Sequence, residues 1–158
     1  MSKSYYIETY GCQMNVADSE LVSGLLSQDG YAETKDINSA DIIFVNTCAI
    51  REHAEEKVHS RLGFYNQLKH KKPNTIIGVL GCMAQNLKEE ILDSKPYVDI
   101  ILGPDSYRRL PTMIRDRSSE KSHLVDTKLS KFELYDNMFP RRNAGINAWI
   151  SIMRGCDK

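Results

Sequence analysis

The four cysteines of this chain include no Cys-x-x-Cys pair. That absence removes the zinc ribbon and the thioredoxin-type redox motif by spacing alone. Also missing are a Gly-rich phosphate loop of the Walker or dinucleotide type and a His-Glu-x-x-His sequence. Neither sign of charge is in excess: Lys plus Arg and Asp plus Glu each number 21, a formal net charge of zero. A zero balance leaves a nucleic-acid partner open but lacks the overall basic character of a dedicated nucleic-acid binder. No apolar run approaches the roughly 18 residues that span a membrane. The start, Met1 to Glu8, has no signal-peptide core. A cytoplasmic address without a membrane partner is therefore expected, and there cysteines serve as ligands, nucleophiles or buried thiols rather than disulfides.

What is present is enough apolar residue, 41% of 158, for one core. Short β-branched runs alternate with longer helical patterns. Tyr5–Thr9 reads as a first strand, before a loop with Gly11 and Cys12. Asp18 is placed to cap a helix carrying Leu21, Val22, Leu25 and Leu26, which Asp29-Gly30 ends. Tyr31–Thr34 reads as a short edge strand. The run Ile42 to Val45 is too short for a helix and reads as a buried strand. A helix over 53–70 follows Cys48, with Ala54, Val58, Leu62, Tyr65 and Leu68 as its stripe. Thr75–Leu80 is the next strand, then Gly81-Cys82 and a helix over 85–93. Asp99–Leu102 and a helix from about Ser106 complete the pattern. Such alternation predicts an α/β fold: a Rossmann/flavodoxin-like, mainly parallel sheet with flanking helices. The expected organisation is a domain over 1–117, a linker over 118–147 with one short strand near His123–Val125, and the truncated start of another domain over 148–158.

Cys12, Cys48 and Cys82 share one context: each follows an expected strand and precedes an expected helix. In a parallel sheet all carboxyl ends lie on one edge, so three residues remote in sequence are brought together there. Helix N-termini at that edge favour thiolates and anionic groups. Three thiolates satisfy three irons of a 4Fe–4S cube and leave one iron open. Gly11 and Gly81 would let the backbone approach such a cluster closely. Two other readings stay open. Cysteine often packs as a small hydrophobe, and three thiolates with His53 or His59 could bind zinc. Cys156 alone carries almost no signal by spacing. The basic run Lys69-His70-Lys71-Lys72 could touch phosphates, but suits a helix C-terminus equally. Glu52, Glu55, Glu56, Lys57 and Arg61 read as surface pairs on one helix.

The stretches TYGCQMNVADSE, VNTCAIREHAEEKVHSRLG, GCMAQ and VDIILGPDSYRRLP resemble the N-terminal domain of the radical S-adenosylmethionine methylthiotransferases. The resemblance runs from Tyr6 to the end. It implies three parts: this α/β domain, a radical S-adenosylmethionine barrel and a small RNA-binding domain. It implies that Cys12, Cys48 and Cys82 ligate an auxiliary 4Fe–4S cluster. Cys156, in SIMRGCDK, matches the first cysteine of the barrel's CxxxCxxC motif, so the full-length enzyme would hold two 4Fe–4S clusters and bind S-adenosylmethionine. The barrel cluster would generate a 5′-deoxyadenosyl radical that takes hydrogen from C2 of an adenine. The auxiliary cluster would deliver sulfur, from a donor the resemblance does not identify, and a second S-adenosylmethionine the methyl group. AIREHAEEKVHSRLG favours the subgroup that modifies N6-dimethylallyladenosine beside the tRNA anticodon. The sequence stops at Lys158, before the other two motif cysteines. This chain alone is accordingly expected to be inactive, monomeric and dependent on other domains for most tRNA contact. The alternatives are a sister methylthiotransferase, acting on threonylcarbamoyl-adenosine in tRNA or on a ribosomal-protein aspartate, and a non-catalytic flavodoxin-like binding domain.

Overall fold

The structure, a computed structural model, describes residues 2–48, 52–119, 123–128, 135–142 and 146–149, with the side chains of 52–55 excepted. Six strands form one parallel sheet: β1 (Ser4–Tyr10), β2 (Ala32–Glu33), β3 (Ile42–Thr47), β4 (Ile76–Leu80), β5 (Ile100–Leu102) and β6 (Leu124–Asp126), in spatial order β2-β1-β3-β4-β5-β6. Five α-helices accompany them: α1 (Gln13–Gln28), α2 (Glu52–Lys71), α3 (Cys82–Asn86), α4 (Lys88–Ser94) and α5 (Leu110–Ser119), the last entered through a 3-10 helix at Pro104–Arg109. No helix among the described residues is long and apolar enough to cross a membrane.

Strand pleating divides the core between the two faces, because successive side chains point to opposite sides. Tyr5, Ile42, Phe44, Ile76, Ile100 and Leu102 pack with α1 and α5. Ile43, Val45, Ile77, Val79 and Ile101 pack with α2, α3 and α4. The central strands β3 and β4 are buried on both faces, which is why they read as unbroken apolar runs.

Helix α1 begins at Gln13, five residues ahead of the expected cap. Asp18 is therefore interior and buried, and its carboxylate accepts a hydrogen bond from the hydroxyl of Tyr107 at 3.2 Å. Asn15, Ser19, Glu20 and Ser23 are buried too. The helix is enclosed on its outer side because residues 135–142 run across it: Met138 enters the core and the Arg141 N–H donates to the Glu20 carbonyl at 2.9 Å. The helix expected over 85–93 is two short ones, α3 and α4, separated at Leu87.

The segment expected as a linker contributes β6, which pairs with β5 from Ile100↔Leu124 to Leu102↔Asp126. The steps β4 to β5 and β5 to β6 run the same way across the sheet, yet their helices lie on opposite faces. The two connections therefore have opposite hands, a departure from the usual uniformly right-handed crossover. Asp126 anchors the short strand: it accepts from Ser106 at 2.9 Å and from Arg109. The strand expected from Ala148 onward falls almost wholly outside the described residues.

Candidate functional site

The three cysteines sit at the carboxyl ends of β1, β3 and β4, which are immediate neighbours in the sheet. Register fixes their alignment: Tyr10 is level with Thr47, and Asn46 with Leu80. Cys12 comes two residues after Tyr10, Cys48 directly after Thr47, and Cys82 two residues after Leu80. With strands about 4.8 Å apart, the outer two loops are separated by roughly 10 Å, and the β3 loop lies between them. Strand order reverses between β1 and β3, so Cys12 and Cys48 flank the switch point where open α/β sheets bind ligands.

None of the three is in a disulfide, and their settings are graded: Cys48 is buried, Cys12 half-buried and Cys82 exposed. Cys12 is the N-cap residue of α1, and Cys82 opens α3. A buried pair of amides ties the loops. Asn46, fully enclosed on β3, donates to the Asn15 carbonyl at 3.0 Å and to Ser19 Oγ at 2.9 Å. Its side-chain oxygen accepts from Asn15 Nδ2 at 3.4 Å. Asn15 Oδ1 in turn accepts from the Cys12 N–H at 3.3 Å and from the Cys12 thiol at 3.5 Å.

Gly11 and Gly81 have φ of +128° and +93°, conformations that side chains resist. A Cβ on Gly11 would lie 2.5 Å from Asn15 Oδ1 and 3.0 Å from the Cys48 Cβ; one on Gly81 would lie 2.5 Å from Asn46 Oδ1. The close approach these glycines permit is thus loop to loop, onto the amide pair and Cys48.

The β3 end carries one unanswered polar group: Thr47, fully buried beside Cys48, has a hydroxyl without a hydrogen-bond partner. A buried hydroxyl left unpaired costs on the order of 1–3 kcal/mol. Tyr107 is fully buried near the same edge; burial and then the charge of Asp18 push its phenol well above the usual value, and Cys82 adds to the effect.

No group of three His, Cys, Asp or Glu among the described residues is close enough to hold a single metal ion. That argues against a preformed zinc site, whose thiolates must converge within about 2.3 Å of one atom. His59 lies 3.8 Å from Glu90, and the His53 side chain is outside the described residues. What the strand ends bring to one edge is three thiols in consecutive loops, with the N-terminus of α1 at Cys12. Cys156 lies outside the described residues.

Other charged groups pair between elements of the fold. Arg61 pairs with Glu8 on β1, through Nε at 2.7 Å. Lys69 joins Asp99, and Lys72 joins Asp41 at 2.6 Å, so two cations of the basic run are spent within the chain.

The chain is similar over nearly all its length to proteins named tRNA-2-methylthio-N(6)-dimethylallyladenosine synthase. The one from Amoebophilus asiaticus is 46% identical over 159 residues, covering 99% of this chain and 32% of that protein. The Parabacteroides distasonis protein is 45% identical, covering 98% and 34%. That of Chloroherpeton thalassium is 46% identical, covering 96% and 34%. The chain thus spans about a third of the length of these relatives. Residues 4–103, which hold β1 through β5 and all three cysteine loops, match one family profile throughout: the chain belongs to Uncharacterized protein family UPF0004.

Proposed function

We propose that this chain is the iron–sulfur, sulfur-delivering part of an enzyme that methylthiolates C2 of N6-dimethylallyladenosine beside the tRNA anticodon. The observation that carries this reading is the placement of Cys12, Cys48 and Cys82 at the carboxyl ends of three adjacent parallel strands. The names of the relatives support the substrate and favour it over that of a sister methylthiotransferase. Cys12, Cys48 and Cys82 would hold an auxiliary 4Fe–4S cluster, which when bound supplies an open iron for a sulfur species. Cys12, the N-cap residue of α1, stands at the positive end of that helix, where an anionic group is favoured. Cys48 is buried, so a metal bound there would be shielded from water on that side. Exposed Cys82 leaves the outer side of the site open to a reactant. Cys156 would be the first ligand of the second cluster. That cluster, S-adenosylmethionine and most tRNA contact would belong to the whole enzyme, in the cytoplasm.

Anaerobic reconstitution followed by iron and sulfide analysis and electron paramagnetic resonance tests the reading. About four irons and four sulfides per chain are expected, with a reducible cluster signal. The β1/β3 switch point also suits a flavin, as in flavodoxin-like domains. Flavin uptake without iron, or no uptake of either, would overturn the proposal.

A further inference from the structure

We infer that Asn15 and Asn46 are positioning residues: one buried amide pair that sets the spacing of the cysteine loops for a bound cluster. The inference rests on the proposed iron–sulfur role and adds to it which uncharged residues hold the ligands in place. Asn46 stands at the end of the middle strand, and each of its polar atoms is used. Its nitrogen donates to the Asn15 carbonyl and to Ser19 Oγ, and its oxygen accepts from Asn15. On the β4 side the same oxygen lies where a Cβ on Gly81 would be, 2.5 Å away, so it abuts the turn that carries Cys82. On the β1 side Asn15 completes the link, because its oxygen holds the Cys12 backbone N–H at 3.3 Å. Cys48 follows Asn46 by two residues and its Cβ lies 3.0 Å from a Cβ placed on Gly11. One side chain of the central strand is therefore in register with all three ligand loops.

The chemistry suits a ligand-bearing edge. An amide pair orders the loops without adding a charge of its own beside three thiolates, whereas a carboxylate there would oppose them. Asn15 Oδ1 meets the Cys12 loop twice, at the thiol at 3.5 Å and at the backbone N–H at 3.3 Å, and the backbone bond does not use the sulfur. The loop thus keeps a tether when the sulfur is engaged by a ligand. Outer residues that orient ligands are commonly worth 10–100-fold in metal affinity.

The test compares the wild-type chain with Asn46→Ala, Asn15→Ala, the double variant and Thr9→Val, all reconstituted anaerobically. Thr9 Oγ1 bonds Ser19 Oγ at 2.7 Å, so Thr9→Val removes a bond of the same network that reaches no cysteine. The readouts are iron per chain, the rate of cluster loss to a chelator, the reduced-cluster resonance spectrum and the unfolding midpoint. Both asparagine variants should lose the cluster roughly tenfold faster or more and broaden its spectrum. The double variant should be little worse than either single one, since the pair acts as a unit. Thr9→Val should lower the midpoint while leaving chelation and spectrum unchanged. Wild-type chelation and spectrum in both asparagine variants, whatever their midpoints, would overturn the inference while leaving the iron–sulfur role standing. An iron-free wild type would instead remove that role and the inference with it. Should Asn46→Ala fail to fold, Asn15→Ala decides by the same criteria.

Discussion

Gly24, in the middle of α1, lies directly beneath the Phe139 carbonyl: a Cβ on the glycine would stand 1.8 Å from that oxygen. Glycine inside a helix is normally a loss of about 1 kcal/mol relative to alanine. Here the loss is offset by what it permits, a peptide segment laid flat against the helix. That segment seats Met138 in the core, stacks Tyr135 on Tyr107 and extends Arg141 to within 3.8 Å of Glu33.

Gly24→Ala should therefore destabilise the chain despite its better helix propensity. The methyl group must push residues 138–141 away or strain α1, and overpacking of this kind costs about 1–3 kcal/mol. Chemical denaturation should give a net loss of up to about 2 kcal/mol once the propensity gain is subtracted. Limited proteolysis should cut first near Phe139. An alanine variant more stable than wild type would show that the segment does not depend on this contact.

The Glu8 carboxylate on β1 gathers Arg61, Tyr65 and Tyr10 around it, with Tyr10 at 3.0 Å. Burial pushes its pKa up, but the hydrogen bonds from Arg61 and Tyr65 outweigh that and leave it below the ordinary 4.5. A lowered carboxylate pKa contributes stability that is complete above the unfolded value and is lost as pH falls through the folded one. Glu8→Gln should lower stability at neutral pH and make the decline below pH 4.5 shallower than in wild type. Asp41, also lowered, through Lys72 and Ser4, should keep the variant's acid limb from vanishing. Denaturant midpoints across the acid range supply the comparison, and parallel curves for the two proteins would refute the assignment.

The sheet was legible because its signals were local. The runs at Ile42 and Ile76 are apolar on both faces, and a parallel sheet with helices between such strands follows directly. The equivalence of Cys12, Cys48 and Cys82 was legible for the same reason, since topology carries all strand ends to one edge. What stayed hidden depends on long-range closure. Asp18 looked like a cap because its partner, Tyr107, lies 89 positions away. Asn15 and Asn46 have no periodic signature, and only the packing of α1 beside the end of β3 brings them together. The short strand near His123–Val125 was expected, but not its place beside β5 after a connection of reversed hand, for which three residues carry no signal. The pairing of Arg61 with the half-buried Glu8 had no local signal either, since the two are 53 positions apart and meet only where α2 packs on β1.

Binding to tRNA by this chain alone should be weak. Net charge is zero, and Lys69 and Lys72 already have carboxylate partners inside the fold. Few phosphates would be neutralised, so few counterions would be released. Filter retention at physiological salt should show no sub-micromolar complex, and what binding there is should fall only gently with added salt. A sub-micromolar complex with a steep salt slope would place a phosphate-binding surface on this domain.

The cysteines should divide into three that hold a cluster here and one that does not. Cys12, Cys48 and Cys82 follow the ends of adjacent strands, in loops tied by Asn15 and Asn46. Cys156 follows the segment that crosses α1 and stands apart from those three loops in sequence. A lone thiolate cannot hold a cube. Replacing any of the first three with Ala should abolish or badly weaken iron uptake, with the loss at Cys48 accompanied by little change in folding, since Ala fits a buried site close to that size. Cys156→Ala should still take up about four irons per chain. The informative pair is Cys48→Ala against Cys156→Ala, measured by iron content and by the resonance spectrum of the reduced protein. Retention by the first and loss by the second would reverse the assignment. It would also leave the open iron without its basis, because that position exists only if the three strand-end cysteines are the whole protein ligand set.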